Sequence, residues 1–213
     1  MQVEIWSDVV CPWCYLGKRN FEQALQQFGH RDKVDVVYRS FELDPAAPAD
    51  TTTPTVDLLA TKYGMSADQA LAAQEQMEQR AAQAGLTFRM SGLRSGNTRD
   101  AHRLLQLART HGLQAELVER LYRAYFTEQD SVFDRAALTR LAADVGLDPA
   151  KVAAVLDSDQ FSDEVMADEQ TAHALGANGV PFFVIDRRYG ISGAQPAELI
   201  VQALSQAWDA AGT

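Results

Sequence analysis

The chain has 213 residues, of which 46% are hydrophobic and 23% are charged, so it is long enough for one substantial globular domain or for one domain that carries an insertion. Its formal net charge of -10 comes with no basic stripe for nucleic acid, and no apolar run approaches the roughly 20 residues of a membrane helix. We therefore expect neither a nucleic-acid partner nor a membrane partner. Composition leaves the oligomeric state open.

The first part of the chain predicts a strand, a helix and a second strand. Residues 2–10 read as a strand because Val3 and Ile5 share one face and an apolar pair follows them. An apolar stripe at helical spacing predicts a helix over about residues 15–28, and the β-rich residues 34–43 predict the second strand. This order indicates a parallel, right-handed βαβ unit.

The middle of the chain is predicted to be almost entirely helical, after a loop at residues 44–54 that is rich in proline and threonine. Ser66 with Gln69 fits a capping box, and Asp134 and Asp148 each precede a helical pattern. Other helices are expected over roughly residues 54–63, 98–111, 115–128 and 163–175, with an irregular segment or short strand at 86–96.

Strand-forming residues return near the end of the chain. Residues 182–185 read as a compact apolar strand, residues 189–192 as its hairpin partner, and residues 196–211 as a final helix. The prediction is an α/β fold, βαβ followed by ββα. Residues 1–45 and 177–213 form one domain in this prediction, and residues 46–176 form an all-helical insertion domain.

The only two cysteines, Cys11 and Cys14, lie three positions apart where the first strand is predicted to turn into the first helix. Such a pair can close into a disulfide and reopen with little backbone movement. We expect Cys11, at the positive end of the helix, to be an exposed thiolate nucleophile, and Cys14 to be a more buried, resolving thiol. No cysteine remains for a structural disulfide and no secretory signal is visible, so we expect a cytoplasmic protein.

Four segments carry further motifs: residues 7–18 (SDVVCPWCYLGK), 97–103 (NTRDAHR), 179–183 (GVPFF) and 192–195 (SGAQ). Together they resemble the DsbA family of thiol–disulfide oxidoreductases, and more narrowly its FrnE-like branch. The resemblance spans nearly the whole chain and implies a thioredoxin-like fold that is interrupted by the helical insertion. It also implies that Cys11 and Cys14 are the catalytic pair, that Val180–Pro181 is a cis peptide facing them, and that thiols or disulfides are the substrates.

The resemblance implies a substrate-binding surface, built from the residues between the cysteines, the dipeptide at the cis bond and two polar residues near the start of a helix. The predicted residues are Pro12, Trp13, Val180, Pro181, His102 and Asn97. The position of His102 also fits an ordinary helix-face residue. No metal and no cofactor beyond the cysteine pair is expected, and glutathione is the candidate co-substrate. The oxidising DsbA enzymes carry a histidine between their cysteines, whereas this chain has Trp13, so strong oxidising power is not expected.

Other interpretations stay open at this point. The architecture also resembles kappa-class glutathione transferases and 2-hydroxychromene-2-carboxylate isomerases, which carry a serine near the position of Cys11 and usually lack the second cysteine. A glutathione-dependent isomerase or transferase is therefore the alternative function. A non-catalytic binding module would have a Cys11 of ordinary thiol reactivity. A zinc site is disfavoured because no second pair of ligands accompanies the cysteines.

Overall fold

The computed structural model describes residues 1–212, which divide into one compact unit of residues 1–43 and 163–212 and a second of residues 44–162. Short 3-10 and π-helical turns occupy Arg31–Lys33 and Ala124–Glu128. In chain order the remaining elements are β1 (Gln2–Ser7), α1 (Pro12–Gln27), β2 (Asp35–Ser40), β3 (Thr53–Pro54), α2 (Thr55–Tyr63), α3 (Ala67–Gln83), β4 (Arg94–Ser95), α4 (Arg99–Thr110), α5 (Gln114–Arg123), α6 (Arg135–Asp144), α7 (Pro149–Leu156), α8 (Ser162–Ala174), β5 (Phe182–Ile185), β6 (Tyr189–Ser192) and α9 (Ala197–Ala211).

A four-stranded sheet in the order β2-β1-β5-β6 forms the centre of the first unit. β1 pairs in parallel with β2, as the predicted βαβ unit requires, and β5 pairs antiparallel with both β1 and β6. In this register Ile5 lies opposite Tyr38 on one side and opposite Phe183 on the other. β1 is therefore an interior strand, and its residues from Val3 to Ser7 are all buried.

Successive strand residues point to opposite faces of this sheet, and those of β1 and β5 are buried on both. Both faces are therefore covered by helices. On one face, Phe183 of β5 meets Phe21 of α1 with ring centroids 5.7 Å apart, and α9 packs against α1. On the other face, Phe182 lies 6.0 Å from the ring of Trp6. The indole N–H of Trp6 donates to the backbone oxygen of Asp168 in α8 at 2.7 Å, so α8 covers this second face.

The position of α8 corrects the predicted boundary at residue 176, because this helix belongs to the unit that contains the sheet. Its Asp168 carboxylate accepts a hydrogen bond from the Ser40 amide at 3.0 Å and pairs with the Arg39 guanidinium at 3.1 Å. The Asp168 side chain thus bonds α8 to β2, and the Asp168 backbone oxygen bonds α8 to Trp6 of β1. A helical sequence pattern alone does not distinguish a helix of an insertion from one that covers a sheet.

A buried carboxylate lies in the middle of the sheet. Glu4, which is 1% exposed on β1, accepts hydrogen bonds from Arg39 Nε at 2.9 Å and from Arg187 Nε at 2.6 Å. Burial by itself raises the pKa of Glu4, but the hydrogen bonds from Arg187 and Arg39 outweigh burial and hold the pKa below the usual value of a glutamate. The ionised form is therefore the one that the fold stabilises.

The second unit contains α2 to α7 and the short antiparallel pair of β3 and β4. The predicted capping signals are confirmed: Ser66 forms a complete capping box with Gln69, and the side chains of Asp134 and Asp148 each accept an amide of the helix that follows. Arg103 is buried and its guanidinium donates to the backbone oxygens of Val155, Ser158 and Gln160, so it closes the C-terminal end of α7. Across residues 1–212, no helix combines the length and the apolar composition that crossing a bilayer requires.

Three local predictions differ from the structure. β1 ends at Ser7 rather than at residue 10, and α1 begins at Pro12 rather than near residue 15. Pro12 has no N–H and its φ suits the first turn of a helix, so α1 begins inside the CPWC motif. The predicted helix over residues 115–128 is divided into α5 and the π-helical turn that follows it.

We expect Glu4→Gln to lower the free energy of unfolding at pH 7 by about 2–3 kcal/mol, because it removes the anion bonded to Arg187 and one of the two anions paired with Arg39. Since Glu4 has a lowered pKa in the folded state, the folded protein binds fewer protons there than the unfolded chain. This contribution is complete above about pH 4.5 and is lost as the pH falls through the lowered pKa. Denaturant unfolding at several pH values should therefore show wild type and variant converging in acid.

Asp32→Asn is the matched control, because Asp32 forms an exposed ion pair with Arg31 and has a side chain that is 91% exposed. It should change the unfolding free energy by less than about 0.5 kcal/mol. A Glu4→Gln variant as stable as this control at pH 7 would contradict the conclusion that the bonds of Glu4 to Arg39 and Arg187 stabilise the fold.

Candidate active site

Cys11 is the N-cap residue of α1. Its backbone is extended, with φ -88° and ψ 111°, and its sulfur accepts a hydrogen bond from the Cys14 amide at 3.3 Å. The Cys11 amide itself donates to the backbone oxygen of Asp8 at 3.1 Å, which forms the tight turn between β1 and α1. One amide of the first helical turn therefore points at the Cys11 sulfur, and this end of a helix stabilises negative charge.

Both cysteines are free thiols and both are buried. Cys11 is 3% exposed and Cys14 is 2% exposed, so the expectation that Cys11 lies at an exposed helix end is wrong. The Cys11 sulfur lies against the backbone oxygen of Val180, with 3.7 Å between the two atoms, and this loop helps to cover it. The two sulfurs differ in their partners rather than in their exposure.

The environment of Cys14 disfavours its thiolate. Burial raises the pKa of the Cys14 thiol well above its usual range, and the hydrogen bond to Cys11 and the charge of Cys11 raise it further. A hydrogen bond from the Asp8 backbone lowers the pKa, while the Asp8 carboxylate raises it. Cys14 is therefore held as a neutral thiol in the reduced protein.

Asp8 is buried at 1% exposure directly before the cysteine motif. Its carboxylate accepts the Leu43 amide at 2.8 Å, so it ties the start of the active-site turn to the segment that follows β2. Asp8 acts on both the turn and the thiol pair: its backbone oxygen accepts the Cys11 amide, and its carboxylate raises the pKa of the Cys14 thiol.

The Val180–Pro181 peptide bond is cis, as predicted. The Val180 oxygen faces the Cys11 sulfur, and Pro181 is buried against the first helix at Gly17. A Cβ atom at Gly17 would lie 2.7 Å from Cγ of Pro181 and 3.4 Å from the Phe183 ring. The missing side chain of Gly17 thus lets α1 and the cis-proline loop approach each other.

Gly17 is a site residue to which the sequence analysis gave no role. Its signal was visible, because a glycine inside a helical pattern costs about 1 kcal/mol relative to alanine and therefore indicates a packing reason. What the sequence lacked was the identity of the neighbour. Pro181 is more than 160 residues away along the chain.

The remaining predicted site residues fall into two groups. Pro12 occupies the first position of α1, and Trp13 beside it is 43% exposed at the helix end. His102 and Asn97 belong to the second unit, where His102 is 1% exposed on α4 and the Asn97 amide donates to the Ala47 oxygen at 3.0 Å. A role of His102 and Asn97 in substrate binding stays a prediction.

Within residues 1–212, no three side chains of the types His, Cys, Asp and Glu come together as a metal site would require. The two sulfurs interact with the N-terminal end of α1, with Asp8 and with the cis-proline loop. This arrangement suits thiol chemistry.

Gly17→Ala should force α1 and the cis-proline loop apart, because the new Cβ atom would lie closer to Pro181 than real Cβ atoms approach their neighbours. Overpacking of about 1–3 kcal/mol exceeds the helix-propensity gain of about 1 kcal/mol. We expect a lower Tm and a loss of about 5-fold or more in the rate at which Cys11 reacts with a disulfide.

Gly29→Ala is the control for this prediction. Gly29 lies just beyond the same helix, and a Cβ atom there would meet nothing within 4 Å. This variant should match wild type in Tm and in rate. Wild-type behaviour of Gly17→Ala in both measurements would contradict the close contact inferred here.

Comparison with known proteins agrees with this site. A sequence model of the DSBA-like thioredoxin domain family matches residues 2–205. The chain is similar to the crystal structure of a probable DsbA oxidoreductase from Streptomyces coelicolor, with 52% identity and a TM-score of 0.95, over 98% of this chain and 90% of that one.

Two further structures share the fold at lower identity. The cytosolic disulfide reductase DsbM from Pseudomonas aeruginosa, solved with GSH, has 18% identity and a TM-score of 0.67, over 97% of this chain and 98% of that one. A 2-hydroxychromene-2-carboxylate isomerase has 15% identity and a TM-score of 0.71, over 97% of this chain and 95% of that one. At such identities the likeness establishes the fold alone.

The predicted thioredoxin-like fold with a helical insertion is confirmed by the sheet, the cis-proline loop and these relatives. An enzymatic role replaces the non-catalytic binding module that the sequence left open. The chain belongs to the DSBA-like thioredoxin domain family and is a disulfide oxidoreductase.

Proposed function

We propose that the protein exchanges thiols and disulfides of polypeptide or small-molecule substrates, with Cys11 as the nucleophile and Cys14 as the resolving thiol. The observation that carries this assignment is the asymmetry between the sulfurs. The Cys11 sulfur accepts a helix N-terminal amide, whereas burial keeps the pKa of the Cys14 thiol well above its usual range. Only the Cys11 sulfur therefore accepts a hydrogen bond at the N-terminal end of a helix, which is the placement of a thiol nucleophile.

The reaction has two balanced steps. The Cys11 thiolate attacks a substrate disulfide, a mixed disulfide forms, and one substrate sulfur leaves as a thiolate. Cys14 then loses its proton and attacks the Cys11 sulfur, which releases the second substrate thiolate and leaves a Cys11–Cys14 disulfide. The substrate has gained two electrons and the enzyme has lost two. The reverse sequence oxidises a substrate, and the reduction potentials of the two couples decide the direction.

The substrate chain is proposed to lie along the cis-proline loop. The Val180 oxygen is 3.7 Å from the Cys11 sulfur, so an extended peptide that pairs with the Val180 backbone would have its own sulfur close to Cys11. Pro12 and the exposed Trp13 lie at the same helix end, where an apolar surface suits an unfolded polypeptide.

We propose glutathione as the thiol partner that reduces or oxidises the enzyme, and the cytoplasm as its compartment. Support comes from the use of both cysteines in one motif, which leaves none for a structural disulfide. The fold is also that of a cytosolic disulfide reductase solved with GSH. Assignment to the FrnE-like branch stays a prediction.

A glutathione-dependent isomerase is the second candidate, and the fold shared with a 2-hydroxychromene-2-carboxylate isomerase favours it. Such chemistry would not use Cys14 as a resolving thiol. A Cys14→Ser variant that kept full activity on a small aromatic substrate would support the isomerase.

Substitution of the two cysteines tests the proposed roles. Cys11→Ser should lose at least about 100-fold in the rate of insulin disulfide reduction with glutathione, because it removes the attacking atom. Cys14→Ser should form the mixed disulfide but accumulate it, which mass spectrometry of the acid-quenched protein will detect. Equal activity of Cys11→Ser and wild type would overturn the assignment.

Thiolate absorbance near 240 nm tests the environment of Cys14. In the folded Cys11→Ser variant, where Cys14 is the only cysteine, we expect no rise in absorbance between pH 6 and about pH 9, because burial raises the pKa of this thiol. The same variant in denaturant should titrate near pH 8.5. A folded-state midpoint below that of the unfolded chain would contradict the asymmetry.

A further inference from the structure

The segment Ser192–Gln195 begins at the last residue of β6 and takes no part in the steps described above. Its backbone is nevertheless bonded to the cis-proline loop. The Gly193 amide donates to the Pro181 oxygen at 2.8 Å, which extends the pairing of β5 and β6 by one further bond toward the active site. Gly193 has φ +79°, a left-handed conformation that glycine adopts without a steric penalty.

The same segment is closed on itself by Gln195. The Gln195 amide donates to the Gly193 oxygen at 2.9 Å, and its side-chain amide donates to the Ser192 oxygen at 2.8 Å. These two bonds make residues 192–195 a compact turn in which a movement of Gln195 also moves Gly193. A group that fixes the position of Gln195 therefore also fixes, through this turn, the Gly193 amide that is bonded to the Pro181 oxygen.

Asn20 of α1 holds Gln195. Its side-chain amide donates to the Gln195 oxygen at 2.9 Å across 175 positions of sequence. Asn20 lies on the helix that has Cys11 at its N-cap, about two and a half turns farther along. The helix that carries the nucleophile thus also holds, through a chain of hydrogen bonds, the loop that faces this nucleophile.

The contact between Gly17 and Pro181 is a second link between α1 and the cis-proline loop. Gly17 sets how closely α1 can approach the Pro181 ring, but contact between apolar atoms sets a minimum distance and not an orientation. The hydrogen bonds from Asn20 and Gly193 are directional, so they orient the backbone around Val180 and Pro181.

We propose that Asn20 is a positioning residue that orients the Val180–Pro181 backbone relative to Cys11 and thereby selects extended polypeptide disulfides as substrates. The inference rests on the proposed function, because it concerns how a substrate backbone pairs beside the nucleophile. A disulfide with no peptide groups cannot use this pairing, so its reaction depends on the sulfur and much less on the orientation of the loop. Asn20 acts through the loop and touches neither sulfur nor substrate.

The test replaces Asn20 with aspartate. Asn20→Asp keeps the size of the side chain but places a carboxylate opposite the Gln195 oxygen, so a hydrogen bond becomes a repulsion between two acceptors. We expect KM for a disulfide-bonded polypeptide to rise by about 10-fold, with kcat changed by less than about 3-fold. The kcat/KM for hydroxyethyl disulfide, which has no peptide groups, should change by less than about 3-fold.

Gln23→Glu is the matched control, because it makes the same amide-to-carboxylate exchange at an exposed position of the same helix. It should leave both substrates within about 2-fold of wild type. Hydrogen exchange of the Gly193 amide supplies a readout in the absence of substrate. This amide should exchange at least about 10-fold faster in Asn20→Asp than in Gln23→Glu, while both variants keep a similar Tm.

Gly193→Ala tests the bond between Gly193 and Pro181, at the opposite end of the same chain of hydrogen bonds. It replaces Asn20→Asp in the test if that variant does not fold. It disfavours the left-handed backbone that directs the Gly193 amide at Pro181, so it should produce the same rise in KM for the polypeptide. Equal losses on both substrates, or an Asn20→Asp variant that behaves like Gln23→Glu, would overturn the inference. If Cys11→Ser retained wild-type turnover, the proposed function itself would fail, and that result is distinguishable from failure of the inference.

Discussion

The hydrogen bond from the Cys14 amide to the Cys11 sulfur is the interaction on which the active site depends. It requires that α1 begin at Pro12, that Cys11 hold an extended N-cap conformation, and that β1 end soon enough for the turn at Asp8 to form. Each condition is met by neighbouring groups rather than by the cysteines themselves. The sulfur at the N-cap accepts one helix amide. The pKa of the thiol one turn inward is raised by burial, by the hydrogen bond and charge of Cys11, and by the charge of Asp8.

Buried charges hold the strand that supports this turn. β1 is flanked on both edges, and Glu4 in its middle is bonded to Arg39 of β2 and to Arg187, which follows β5. Arg39 continues the network to Asp168 of α8. One carboxylate on the central strand therefore connects three elements of the unit, and a buried charge of this kind is stable only while its partners stay in place.

Much of the architecture could be predicted because its signals are local. Ser66, Asp134 and Asp148 cap helices through bonds that span two or three residues, so the sequence itself contains both partners. The order of strands and the CPWC motif likewise indicated the fold and the candidate catalytic pair. The start of α1 at Pro12 also had a local signal, a proline in the first helical turn, which the predicted start near residue 15 did not use.

The features that the sequence did not reveal depend on partners far along the chain. The place of α8 follows from Trp6 and Ser40, which contact Asp168 from more than 120 positions away. The burial of Cys11 depends on Val180, and the need for glycine at position 17 depends on Pro181. Periodicity and composition describe a residue's own element, and they do not identify what covers it.

The sheet is built from both ends of the chain, and this has a consequence for biosynthesis. β1, β2 and the two cysteines leave the ribosome first, but β5 and the loop that covers Cys11 follow only after roughly 140 further residues, which takes on the order of ten seconds at about 5–20 residues per second. During this interval the nascent thiol pair has no proline loop above it, and one edge of β1 has no neighbour. Until β5 and β6 have been synthesised, the two thiols of the nascent chain are therefore open to mixed-disulfide formation with other molecules.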